Sequence, residues 1–129
     1  MTDLFKTTLN YSNSGLADWI REIDWYSIPI REIAGIEGKK QARYCPLENV
    51  VELAPDDNSP VLFGSFIHEL RHARQRRKFG LILYCLLLGL FRSWMEKSAK
   101  KAELDAVEWA NDQRMETWRK DKWKRKSKV

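Results

Sequence analysis

Histidine and cysteine are both scarce in this chain, with two of each in 129 residues. The cysteines, Cys45 and Cys85, stand forty positions apart and form neither a C-x-x-C metal clip nor a disulfide-dense framework. They suit a reducing compartment. The opening MTDLFKTTLNYSNSG lacks a basic leader followed by an apolar run, so no secretory signal is legible and a cytoplasmic location is expected. Long apolar runs are missing too. FGLILYCLLLGLF, from Phe79 to Phe91, covers thirteen residues, whereas a spanning helix needs roughly 20. It reads as a buried core helix in preference to an interfacial segment, and no transmembrane helix is expected. No internal repeat or low-complexity linker divides the chain.

What is present is enough for one core. At 43% hydrophobic residues, a chain of this length is the size of one ordinary domain, drawn here as residues 1–120. The net charge of +5 owes much to the closing RKDKWKRKSKV, so residues 121–129 are read as a basic, flexible, solvated tail. The other basic stretch, RHARQRRK, is interleaved with a helical pattern, and nucleic acid is therefore not the expected partner.

Along the chain, SGLADWIREIDWYSI places Leu16, Trp19, Ile20 and Ile23 at helical spacing, with Ser14 as N-cap. Three short strands follow, from Ile30 to Ile36, in QARYCPL and in NVVEL, with EGKK as a turn. Ser59 and Pro60 form the N-cap and first-turn pair of a long helix that should stop at Gly80 in a left-handed conformation. A second helix, about Leu81 to Met95, is apolar on nearly all sides and is expected inside; a third runs from about Ser98. The fold class predicted is α+β, a small three-stranded sheet packed on an N-terminal helix, the long helix and the final helix.

Both histidines fall in FIHELRHARQ, residues 66 to 75. With His68 at zero on a helical wheel, His72 lies near 40° and Glu69 near 100°, so the imidazoles share a face with the glutamate at its shoulder. Val61, Gly64, Ser65 and Gln75 surround that face, leaving room for a metal, while Leu62, Phe63, Phe66, Leu70 and Ala73 form a separate apolar side. Catalytic zinc needs a third protein ligand and an open position. No third histidine exists, so the ligand must be a carboxylate, and Glu96, Glu103, Asp105, Glu108 and Asp112 are available in the last helix. Ala99, Ala102, Glu103, Ala106, Val107 and Ala110 share one stripe of small residues, and a carboxylate there would be costly to bury unpaired. Glu103 is therefore the preferred ligand, with Asp105 next.

HELRH followed by AELDAVEWA resembles the H-E-x-x-H plus downstream E-x-x-A arrangement of minimal gluzincin metallopeptidases, small zincin-like proteins of bacteria and phages. The resemblance spans roughly Glu48 to Ala110. It implies one zinc per chain held by His68, His72 and Glu103, Glu69 as general base, and NVVELAP as the edge strand bordering the substrate cleft. Val50, Val51, Glu52 and Leu53 would then bind a peptide by strand addition. Many gluzincins place Asp four residues after the ligand glutamate to orient a histidine; that position here is Val107, so the orienting contact must come from elsewhere or be weak. For the oxyanion, Tyr84, Tyr44 or Arg92 must serve, and Tyr84 is preferred.

The function expected is zinc-dependent hydrolysis of peptide bonds in a peptide or protein substrate. The alternatives are a non-catalytic zincin-like interaction protein, an effector or inhibitor of phage or bacterial kind, and less readily a basic nucleic-acid-binding helical protein.

Overall fold

A computed structural model of the protein describes residues 2–33, 42–54 and 60–127. It is α+β and mostly helical. Among the described residues five α-helices, α1 (Thr2–Asn13), α2 (Asp18–Glu22), α3 (Pro60–Phe79), α4 (Leu81–Leu90) and α5 (Arg92–Ser127), accompany strands β1 (Ile30–Glu32), β2 (Ala42–Cys45) and β3 (Val50–Leu53).

Helix α1 occupies the opening stretch, where the sequence pattern predicted no element. Leu4, Thr8, Tyr11 and Ser12 are buried along it. The hydroxyls can go inside because each finds a carbonyl on its own helix: Thr8 Oγ1 donates to Leu4 O and Ser12 Oγ to Leu9 O, both at 2.9 Å. Ser14 closes this helix instead of opening the next, donating to Tyr11 O at 2.6 Å while accepting from the Leu16 amide at 3.3 Å. The predicted amphipathic helix shrinks accordingly to five residues, and Leu16 is exposed.

The sheet has the order β1-β3-β2, with β1 parallel and β2 antiparallel to β3. This corrects the reading of Val50, Val51, Glu52 and Leu53 as an edge. Both edges of β3 are paired and all four residues are buried, so none of them can hydrogen-bond an added peptide strand. Glu52 is tolerated inside because Arg43 Nε donates to it at 2.8 Å and the Cys45 thiol at 3.0 Å. These two contacts hold its carboxyl below the usual range. The expected EGKK turn and Ser59 lie outside the described residues.

Helix α3 runs through the middle of the molecule, against α5 on one flank and β2 and β3 on another. Phe63, Phe66, Ile67 and Leu70 are buried along it, with Phe63 edge-on to Tyr11 and Phe66 edge-on to Trp25. Gly80 ends it at φ 81 and ψ 163, a positive-φ extended conformation that only glycine adopts readily, and not the αL cap expected.

Two further expectations are corrected. The apolar helix α4 ends at Leu90 and is not interior; of its residues only Tyr84 is buried, while Ile82 and Leu90 are 79% and 76% exposed. Helix α5 continues to Ser127, so the backbone of most of the presumed basic tail is helical.

Candidate metal centre

One turn of α3 brings the two imidazoles together, ring centroids 5.0 Å apart. Helix α5 lies close across them because residue 64 has no side chain: a methyl there would collide with Val107 Cγ2 and stand 3.2 Å from the Glu103 carbonyl oxygen. Val107 is thus part of the helix contact. Two carboxylates of α5 then reach the histidines. Glu96 bridges both, its Oε2 3.1 Å from His68 Nε2 and its Oε1 3.1 Å from His72 Nε2. Glu103 approaches the opposite nitrogen of His68, with Oε1 2.8 Å from Nδ1.

The hydrogen bonds assign the proton on His72. Met95 O can only accept, so the Gln75 atom facing it at 3.1 Å is the amide nitrogen. Gln75 Oε1 therefore faces His72 Nδ1 at 2.9 Å, and Nδ1 carries the hydrogen. Burial, the dominant influence, pushes the His72 pKa below the ordinary imidazole value, so the ring is neutral near pH 7 and Nε2 presents a bare lone pair to Glu96. His68 is held between two carboxylates. Its Nδ1 is buried without an aligned hydrogen bond, although Glu103 is within 2.8 Å. No neutral tautomer serves both of its nitrogens.

The result is a close cluster of possible ligands, in which His68 Nε2 also hydrogen-bonds Glu96 Oε2 at 3.1 Å. Two imidazole nitrogens and a carboxylate lie within 4.8 Å of one another, the one group of this kind found among the described residues. Such groups repel unless a cation or a proton lies between them. Two imidazole nitrogens and a carboxylate are ligand types of a catalytic zinc, and here the 3.1 Å contacts run to the two different oxygens of Glu96, so the donor set fits that ion in type. Glu103 is not in the set. It lies on the Nδ1 side of His68, as Gln75 lies on the Nδ1 side of His72. Asp105 and Glu108 are exposed, away from the centre.

The centre opens into a cavity of about 420 Å³. Glu69 lines it beside the imidazoles, as do Tyr44, Tyr84 and Arg92, the three groups considered for an oxyanion. Tyr84 stands edge-on to both His72 and Tyr44, ring centroids 6.4 Å away in each case. Burial first, then neighbouring Tyr44, Glu69 and Glu96, raise its pKa, so its hydroxyl keeps its proton and can donate. Burial pushes Tyr44 up to about 12. On the sheet side Ala42, Arg43 and Tyr44 of β2 form the wall.

Comparison with protein families, curated proteins and solved structures finds no match to this chain. Its chemistry must be read from its own residues.

Glu96 was within reach of the sequence. It precedes Glu103 by seven residues, two helical turns, and so belongs to the same stripe of α5. Gln75 carried the weaker signal of a polar residue on the histidine face.

Proposed function

We propose that this protein is a zinc-dependent metallopeptidase of zincin-like type, with His68, His72 and Glu96 as ligands and Glu69 as general base. The observation that carries the reading is the convergence of two imidazole Nε2 atoms on one carboxylate, with Glu69 beside them in an open cavity. Zinc held there would supply an acidified water, with a pKa towards ~7, and Lewis acidity towards a carbonyl.

The remaining work belongs to the chain. Glu69 takes the proton of the attacking water and returns it to the leaving nitrogen. Tyr84, protonated by virtue of its burial, donates to the developing oxyanion. Gln75 keeps the His72 proton on Nδ1, and with a cation at Nε2 the His68 proton would face Glu103 from Nδ1. A peptide laid alongside β2 would sit against the cavity wall, the role first expected of Val50 to Leu53.

The test is hydrolysis of an unfolded protein substrate by zinc-reconstituted protein. Cleavage that a chelator stops and added zinc restores is the expected outcome. Stoichiometric zinc with no cleavage of any substrate would leave a non-catalytic interaction protein as the better reading.

A further inference from the structure

The outer face of α4 is apolar where surface helices are polar. With Leu81 at zero on a helical wheel, Tyr84 and Leu88 point towards the body near 300° and 340°. Both line the cavity. The opposite arc, from about 40° to 200°, holds Cys85, Gly89, Ile82, Leu86, Leu90 and Leu83, all exposed and none charged. Phe91 and Trp94 extend the exposed apolar surface beyond the helix. A contiguous patch of this kind marks a binding surface.

Charge selects the occupant. The nearest charges along the chain are Arg76, Arg77 and Lys78 before α4 and Arg92 and Lys97 after it; between Arg76 and Lys97 the single carboxylate is Glu96, which is engaged with the imidazoles. Beside Trp94 and Phe79, a second, small cavity of about 130 Å³ is lined by Arg71, Arg74, Lys78 and Ser98; Arg71 donates to Ser98 at 2.9 Å, and Arg74 meets the exposed Glu22 only at 3.4 Å, a pair a phosphate can displace. Phe79 and Trp94 are in ring contact, centroids 6.3 Å apart, and the Lys78 ammonium lies over Phe79 at 5.6 Å. An apolar face rimmed by aromatics and cations matches a bilayer interface, where apolar side chains enter the acyl boundary, aromatic rings sit at headgroup depth and Lys and Arg meet anionic lipid. Pairing two copies through the same face would instead bring these cations towards each other. A helix of ten residues is about 15 Å long, and no helix among the described residues is long and apolar enough to cross a membrane, so the mode is lying on the surface.

We propose that α4 docks the protein on anionic phospholipid bilayers, with Ile82, Leu86 and Leu90 inserted and the Arg71, Arg74 and Lys78 cavity receiving a headgroup phosphate. The docking does not depend on peptidase activity. Because the inner face of α4 lines the main cavity, docking sets that cavity beside the bilayer.

Co-sedimentation with vesicles of phosphatidylcholine, with and without phosphatidylglycerol, tests it on the full chain. Binding to the anionic vesicles, weakened by salt and slight on neutral ones, is expected. Ile82→Ser, Leu86→Ser and Leu90→Ser together should reduce it by about a hundredfold or more, given the transfer free energy of three large apolar side chains. Arg74→Gln with Lys78→Gln should lose at least about tenfold, since each cation near an anionic surface contributes about fivefold. All these positions are outside the histidine centre, so zinc content and circular dichroism should stay at parental values and report that the fold is intact. Equal binding to neutral and anionic vesicles would overturn the proposal. So would absence of vesicle binding together with self-association, or capture of a protein partner, that the triple serine variant abolishes.

Discussion

Replacing Glu69 by Gln is expected to lower peptide hydrolysis by roughly two to four orders of magnitude, the usual scale for a lost general base, and to leave zinc binding intact. The two halves of this result have separate causes. Glu69 lines the cavity but stands outside the cluster formed by His68, His72 and Glu96, so its charge is not needed to hold the ion. Glutamine keeps the shape and removes the basicity, leaving the attacking water without a proton acceptor. Parallel assays of zinc content and of single-turnover cleavage separate the effects. Parental hydrolysis by Glu69→Gln would remove the residue from the mechanism, and loss of zinc would mean that it is a ligand.

The second large effect distinguishes the two carboxylates of α5. Glu96→Ala takes away the group that contacts both Nε2 atoms and should abolish measurable zinc binding together with activity. Glu103→Gln should retain the metal with affinity reduced by about 10–100-fold, the scale of a lost outer partner of a ligating histidine. The basis is which nitrogen each carboxylate approaches: Glu96 lies 3.1 Å from the Nε2 of both rings, whereas Glu103 lies 2.8 Å from Nδ1 of His68. Competition with a zinc-binding chromophore measures both variants. If Glu103→Gln lost zinc while Glu96→Ala kept it, the ligand would be the residue first favoured on the alanine stripe.

Local patterning made much of this visible in the sequence. The i, i+4 spacing of His68 and His72 forces a shared face whatever the tertiary structure, and the three strand segments announced themselves by composition and turn residues. The stripe on α5 correctly marked the face that meets α3, because only small residues permit so close an approach. Its register along the axis was another matter. Glu96 and Glu103 share that face two turns apart, and which one meets Nε2 depends on how α5 slides against α3, a long-range packing property absent from any local window. The same limit hid the sheet order. NVVEL reads equally well as an edge or a centre, and only the pairing of β3 on both sides decides.

Two misreadings had a different origin. Helix α1 was obscured because Thr8 and Ser12 look like surface residues until their hydroxyls are seen satisfied by the helix's own carbonyls. Helix α4 was assigned to the core because apolar residues on all sides ordinarily mean burial. Hydrophobicity reports what a segment can be covered by and does not say whether its own chain supplies the cover. In this molecule Tyr84 and Leu88 find protein while Ile82, Leu86 and Leu90 do not.

Everything proposed for the histidine centre rests on a cation joining the two imidazoles and Glu96. The most direct measurement is equilibrium dialysis of the metal-free protein against zinc near neutral pH, followed by elemental analysis, with His72→Ala carried alongside. One zinc per chain for the parent, and none for the variant, is the expected result. A parent chain that retains no zinc, or a His72→Ala chain that retains as much as the parent, would contradict it.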